Sequence, residues 1–198
     1  RFIDDLKSLC KREEVDLIIP ATDGEVVSIG KHANDLPDFV GSPTSTTSMC
    51  LDKFESFNRF HNAQLPFADS CLPSTYDDRW DQFVVKPREG RGSRDIYYLT
   101  QWDNQFDDTF VIQEHLVGQE ITIAFYRSRS GNILGPLTLQ RELHSGMTWK
   151  CSVTEKFSKQ VDTLIRAFNR SFEVIGPCNI QAVATSEDTI IPFELNCR

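Results

Sequence analysis

The segment richest in chemistry is Lys86-Pro87-Arg88-Glu89-Gly90-Arg91-Gly92-Ser93-Arg94-Asp95, with four basic side chains, two glycines and a serine in ten residues. Glycines let backbone N–H groups approach an anion closely. Lys and Arg bring positive charge to phosphate oxygens. The composition points to polyphosphate binding, against the plainer reading of a basic β-hairpin turn. It is not a Walker A loop: there is no Gly-Lys-Ser/Thr, and a strand follows where that loop needs a helix. At the other end of the chain, Glu194-x-Asn196-x-Arg198 alternates along an extended segment, which puts the three side chains on one face. Carboxylate and amide oxygens suit Mg²⁺, a hard cation that keeps bound phosphates as partners. Gln181 on the preceding strand can join them, and Arg198 can hold a phosphate that the metal also touches. The plainer reading is the polar face of an edge strand. A third element, Gln113-Glu114-His115-Leu116-Val117-Gly118-Gln119-Glu120, links two expected strands. It can offer backbone groups to a base and a carboxylate to a ribose, or serve as a polar connector only.

These groups need a scaffold, and the apolar periodicity outlines one. Phe2 to Lys11 carries Phe2, Leu6 and Leu9 on one helical stripe. Val15 to Pro20 is β-branched and nearly all apolar, as in a parallel-sheet strand buried on both faces, and Ala21 to Gly24 follows as a loop at its carboxyl end. Together they predict a fragment of a doubly wound α/β sheet, whose ligands bind at that end. Residues 41–48 are small and polar and read as a linker. Asp52 can cap a helix bearing Phe54, Phe57 and Phe60, ended by Leu65-Pro66. Residues 73–82 read as a surface loop. Short strands are then expected over Phe83–Lys86, Ile96–Leu99 and Phe110–Gln113. Four more are expected over Ile121–Tyr126, Ile133–Leu139, Asn179–Ala184 and Thr189–Glu194. Before the last two lies an amphipathic helix with Val161, Leu164, Ile165, Phe168 and Phe172 on one side, ending near Gly176-Pro177. The layout is α/β first, then a small β-rich lobe, then a larger antiparallel sheet with a backing helix, leaving a cleft between lobes.

The whole chain has 198 residues, with 21 Lys+Arg against 29 Asp+Glu and a formal net charge of −8. At about 150 residues per domain this is one domain or two small lobes. The acidic balance excludes a general nucleic-acid binder, since no net positive field would collect phosphate backbone. No apolar run approaches the ~20 residues that span a bilayer. Cys10, Cys50, Cys71, Cys151, Cys178 and Cys197 form no CxxC pair. His32, His61, His115 and His144 sit near no such pair, so free thiols in a reducing cytoplasm are expected rather than zinc. Trp80, Trp102 and Trp149 are expected to pack, and Asp77-Asp78 and Asp107-Asp108 to be solvated. Arg1 opens within a helix-like pattern, and the chain reads as a piece of something longer.

Taken in order, these elements resemble the ATP-grasp superfamily, in its carbamoyl-phosphate-synthetase-like and amino-acid-ligase-like branch. The resemblance runs through Val15–Glu25, Asp52-Lys53-Phe54, Lys86–Ile96, Gln113–Glu120, Gln181 and Glu194–Arg198. It implies an ATP-grasp fold holding a nucleotide between two antiparallel sheets, after a partial Rossmann-like pre-grasp segment. The units expected are 1–48 (pre-grasp), 49–113 (small lobe with the glycine-rich loop) and 114–198 (large lobe with the metal site).

By resemblance, Lys53 and Lys86 meet the phosphates, and Gly90, Arg91, Gly92 and Ser93 form the loop over the triphosphate. The segment Gln113, Glu114, His115 and Leu116 lies along the base, and Glu120 holds the ribose. Gln181, Glu194 and Asn196 form the metal set for two Mg²⁺, with Mn²⁺ an alternative. Arg198 holds the transferring phosphate or acyl phosphate. Arg141 and Lys150 fall where relatives carry basic residues facing the acceptor or the γ-phosphate, the alternative being solvated strand charges. The basic pocket expected is Lys53, Lys86, Arg88, Arg91, Arg94, Arg141 and Arg198. Many relatives have an acidic residue where Gln181 stands. The activity implied is ATP- and Mg²⁺-dependent ligation of a small carboxylate to an amine through an acyl phosphate. The alternatives are bicarbonate or carbamate phosphorylation and a non-catalytic ATP-binding module. A homodimer, or further domains of a longer chain, fits the same resemblance.

Overall fold

The computed structural model describes residues 1–90, 94–144, 147–186 and 189–198. The N-terminal part is a small βαβ unit. Helix α1 (Phe2–Arg12) leads to β1 (Leu17–Ile18), helix α2 (Asp23–Gly30) crosses over, and β2 (Asp38–Phe39) pairs with β1 in parallel. The expected strand is only partly realised. A two-residue ribbon cannot cover both of its faces, and Ile19 is 73% exposed. The stretch after it is not a loop: Thr22 caps α2 in a reciprocal capping box with Glu25, and Val26, Val27 and Ile29 are buried.

The expected linker is mostly helix. α3 (Thr44–Leu51) buries Thr46, Thr47, Met49 and Cys50. Its polar side chains are satisfied from across the fold, with Thr46 Oγ1 donating to Glu173 O at 2.7 Å. Then α4 (Lys53–Asn62) begins at Asp52 as expected, where the carboxylate accepts from the N–H groups of Phe54 and Glu55.

A four-stranded antiparallel sheet follows, ordered β3-β6-β4-β5, from β3 (Ser70–Cys71), β4 (Phe83–Pro87), β5 (Tyr97–Leu99) and β6 (Phe110–Glu114). Its core is Cys71, Phe83, Val85 and Ile112, with Tyr76, Trp80, Trp102 and Phe106 packed against it. The 73–82 segment therefore contributes two aromatics to packing, and Trp80 and Trp102 pack as expected.

The larger sheet is ordered β11-β10-β7-β8-β9, from β7 (Gln119–Arg127), β8 (Ile133–His144), β9 (Met147–Val153), β10 (Gly176–Ser186) and β11 (Thr189–Cys197). All its pairs are antiparallel. On its back face lies α5 (Ser158–Ser171), whose Val161, Leu164, Ile165 and Phe168 are buried as the periodicity requires. Phe168 stands among Phe60, Phe125 and Phe172. The helix stops at Phe172, and Gly176-Pro177 opens β10 instead of ending α5. β9 adds an edge strand beyond those expected. Trp149, expected to pack, lies in that edge strand and is 77% exposed.

One irregularity matters for the site. Gln181 faces Glu194, but the next residue, Ala182, faces Pro192, so Phe193 is an extra residue in β11. Ile190 and Pro192 face the core before this bulge, and Leu195 and Cys197 after it. The bulge thus resets the phase, so that Phe193 and Glu194 both turn to the front face. Among the described residues, no helix is long and apolar enough to cross a membrane.

Candidate active site

Between the two sheets lies a cleft of ≈ 380 Å³. The small sheet supplies Val84, Lys86, Tyr98 and Gln113, and the large sheet supplies Glu120, Arg141, Gln181, Val183, Phe193 and Glu194. Ile96 and the connector residues Glu114, His115 and Leu116 complete the wall. Val84, Ile96, Tyr98, Leu116, Val183 and Phe193 give the cleft an apolar slot, and Lys86, Glu120, Arg141 and Glu194 give it charge.

Lys86 is only 4% exposed. Its Nζ donates to Gln113 Oε1 at 2.8 Å and to Phe193 O at 3.3 Å, and so ties the small sheet to β11. Gln113 is fixed in turn, its Nε2 donating to Ser70 Oγ, which donates to Ala68 O. Burial pulls the Lys86 ammonium down to about 8; the neighbouring Lys53 charge adds to this, while Glu194 and Glu120 oppose it. Among the described residues its hydrogen bonds go to neutral oxygens, which leaves the buried cation poised for a closer anionic partner.

The floor of the cleft is a clasp. Arg141 Nη1 donates to Glu120 Oε1 and to Gln181 Oε1, both at 2.8 Å, and Arg141 Nε donates to Thr148 Oγ1 at 2.9 Å. Burial raises the Glu120 carboxyl above its ordinary range, against the pull of Arg141. The register explains the grouping: Val183 pairs with Glu120, and Gln181 with both Thr122 and Glu194.

Of the connector, Glu114 spends its carboxylate on the N–H of Asp69 at 2.7 Å, and its own N–H goes to Asp69 O. The His115 N–H goes to Gln82 O, and its ring Nδ1 lies 3.1 Å from Gln82 Oε1. Leu116 lines the slot.

The remaining expected residues that are described do not line the wall of this cleft. Lys53 is buried, with Nζ 3.4 Å from the carbonyls of Arg88 and Gly90, against the base of the basic loop. Gly90 is exposed, and Arg91, Gly92 and Ser93 lie outside the described residues. Arg88 is turned away: its guanidinium pairs with Asp52 and sits over the Phe54 ring. Arg94 is exposed. Asn196 is next along the front face from Glu194, its Nδ2 donating to Asn179 Oδ1 at 3.2 Å. Arg198 stands two residues further on and holds Asp23 of α2 at 2.9 and 3.3 Å. Lys150 is not brought to the cleft: it is exposed on edge strand β9 and pairs with Glu142 at 3.6 Å.

Sequence reasoning passed over the apolar wall of Val84, Ile96, Tyr98, Val183 and Phe193, and over Asp23. Alternation outward from Lys86 and Gln181 reaches Val84 and Val183. Nothing in the sequence marks the bulge that turns Phe193.

Among the described residues there is no cluster of three His, Cys, Asp or Glu side chains suited to a metal. The set expected to bind metal instead comprises one carboxylate, Glu194, and two amides. These are hard oxygen donors of the kind Mg²⁺ takes alongside phosphate oxygens, so the residues fit a cation that arrives with a polyanion.

The sequence profile of the ATP-grasp domain matches residues 50–198, and the chain belongs to the ATP-grasp family. A search of curated proteins finds no match. Among solved structures, the ADP complex of purK, an N5-carboxyaminoimidazole ribonucleotide synthetase, superposes with a TM-score of 0.79 at 16% identity, covering 98% of this chain and 57% of that one. The Staphylococcus aureus N5-carboxyaminoimidazole synthetase complexed with ADP gives 0.77 at 12% identity, covering 97% and 56%. The D-alanine-D-alanine ligase from Coxiella burnetii gives 0.71 at 16% identity, covering 92% and 59%. These likenesses establish the fold. The chain spans between half and three-fifths of the length of these three proteins.

Proposed function

We propose that the protein is an ATP- and Mg²⁺-dependent ligase that activates a carboxylate for attack by an amine. The observation that carries this reading is Lys86, a buried ammonium whose hydrogen bonds among the described residues go to neutral oxygens, on the opposite wall of one cleft from Glu194 and Gln181. A nucleotide polyphosphate supplies the missing anion, and a carboxylate-and-amide face suits the cation that accompanies it. Family membership and structural neighbours that include a D-alanine-D-alanine ligase and two N5-carboxyaminoimidazole synthetases, both with ADP, support it.

The base lies in the apolar slot of Val84, Tyr98, Val183 and Phe193, with the Leu116 N–H as its donor, since the N–H groups of Glu114 and His115 are occupied. Glu120 receives the ribose. Lys86 and Lys53 neutralise the polyphosphate together with the loop from Gly90 to Ser93. Glu194, Gln181 and Asn196 hold Mg²⁺, which when bound draws negative charge off the transferring phosphoryl group. Arg198 holds the acceptor end.

In the chemistry, a carboxylate oxygen bonds to the γ-phosphorus as the γ-phosphorus bond to the bridging oxygen breaks. This gives an acyl phosphate and ADP. An amine lone pair then attacks the acyl carbon, phosphate leaves, and the amine proton passes to it. The protein positions the reactants and places charge, with no covalent step of its own. Free thiols throughout the described chain suit a reducing cytoplasm.

The test is ADP release with Mg²⁺, with and without a panel of amino acids and bicarbonate. Stimulation by a carboxylic acid is the expected result, and Glu194→Gln should abolish it. Tight ADP binding with no stimulation by any carboxylate contradicts the reading, and stimulation by bicarbonate alone favours the carbamoyl-phosphate type of reaction.

A further inference from the structure

The front face of the large sheet continues beyond Gln181 and Glu194, and it divides into two halves. On β10 and β11 the next front-face side chains are Asn179, Asn196 and Arg198. On β7 and β8 they are Ala124, Tyr126, Leu137 and Leu134. The register makes the halves neighbours: Asn179 pairs with both Asn196 and Ala124, Ala124 pairs with Leu137, Pro177 with Tyr126, and Tyr126 with Leu134. Arg198 joins the last of these rows through its N–H to Pro177 O at 2.9 Å. With strands about 4.8 Å apart, the Arg198 backbone is about 10 Å from that of Tyr126. An amide and guanidinium corner thus borders an apolar strip on one continuous surface that starts at the cleft.

That strip is unusual for an open sheet face, where alternation ordinarily sets polar side chains toward water. Leu134 is 68% exposed, Leu137 46% and Tyr126 half-exposed. A contiguous exposed apolar patch adjoining a polar site marks a ligand surface. The corner beside it suits a carboxylate: Arg198 already presents its guanidinium to one, that of Asp23.

On the ligase reading above, we infer that the activated substrate is a carboxylate with an apolar body. Its carboxyl group lies toward Asn179, Asn196 and Arg198, and its body covers Ala124, Tyr126, Leu137 and Leu134. Bicarbonate would leave the strip uncovered. A polar side chain would lose its water there without gaining partners.

The test uses hydroxylamine, which traps an acyl phosphate as a hydroxamate, with ATP and Mg²⁺. The substrates are L-leucine and L-phenylalanine, set against glycine, L-aspartate and bicarbonate. The expected result is a KM for the apolar acids at least tenfold below that for glycine or aspartate. Leu137→Asp and Leu134→Asp should remove that preference while the Kd for ADP stays as in wild type, and Leu137→Met should keep it. Equal or better use of glycine, aspartate or bicarbonate overturns the inference and leaves the ligase reading standing. A wild-type dimer that Leu134→Asp dissociates, with the substrate preference unchanged, overturns it in favour of an interface between two copies. No hydroxamate with any acid, while ADP still binds, overturns the ligase reading and this inference with it.

Discussion

Lys86 concentrates the electrostatics of the site in one atom. Its ammonium is buried, and its partners are the oxygens of Gln113 and Phe193. In the free protein it loses its proton at a pH of about 8, because burial disfavours the charged form. On the proposed function a polyphosphate beside it would restore the charge, so nucleotide binding would take up a proton above that pH. The Kd for ADP should therefore be flat below pH 8 and rise above it, toward about tenfold per pH unit. Isothermal titration across pH 7 to 10 checks this. Lys86→Met should weaken binding at pH 7 by at least about tenfold, given the strength of charge-assisted bonds, and should flatten the pH dependence. For folding the sign is the reverse. Between about 8 and its ordinary unfolded value the unfolded chain holds a proton that the folded chain does not, so the Lys86 contribution to stability rises with pH over that window. Lys86, Glu120, Gln181 and Glu194 were legible because each is a charged or amide residue at a strand end or at alternating spacing. Lys150 shares that residue type, yet pairs with Glu142 on the outer edge. Spacing along one strand does not say which side of a sheet the next strand closes.

At the scale of elements, the strongest periodicities produced the most secure structure. α5 was legible because five apolar positions at helical spacing leave one face to bury: Val161, Leu164, Ile165 and Phe168 are buried within it, and Phe172 is its C-cap, partly buried against the same core. α3 was not, since its Ser/Thr-rich sequence reads as linker until partners such as Glu173 O and Thr44 O satisfy it. β9 carries an alternation of Met147, Trp149, Cys151 and Val153 that marks a strand, with its apolar residues on an edge. The bulge at Phe193 left no trace in composition. Two stability predictions belong here. Phe168→Ala removes the ring at the centre of the aromatic group beneath the large sheet and should cost about 3–5 kcal/mol in chemical denaturation. Asp52→Ala removes the cap of α4 and the Arg88 partner, and should cost about 1–2 kcal/mol in the same measurement. Burial pushes the Asp52 carboxyl up, but Arg88 and the helix N–H groups outweigh it and hold it below the usual range. This contribution is present above the usual range of an aspartate and lost as pH falls through the depressed value.

For the whole molecule, the cleft depends on the connector that joins the sheets. Gly118 packs so closely on β10 that a Cβ there would overlap the carbonyl oxygen of Ala184. Gly118→Ala should force that connection apart, with an overpacking cost of about 2 kcal/mol and a fall in Tm of about 4–8 °C by calorimetry. The two antiparallel sheets were legible from the order of strands and helices, while the N-terminal βαβ unit was legible only in kind, because its β1 is two residues long and Leu17 in it is 50% exposed. The net charge of −8 concealed the two cations that line the cleft, Lys86 and Arg141; of the other basic residues expected there, Lys53 and Arg198 lie outside its wall. Phosphoryl transfer onto a carboxylate at this site is followed with ¹⁸O from a labelled carboxylic acid during turnover with ATP, Mg²⁺ and hydroxylamine. One labelled oxygen is expected in the phosphate released per ADP formed. ADP formed at the same rate with unlabelled phosphate would mean that water is the acceptor, and would contradict transfer to the carboxylate.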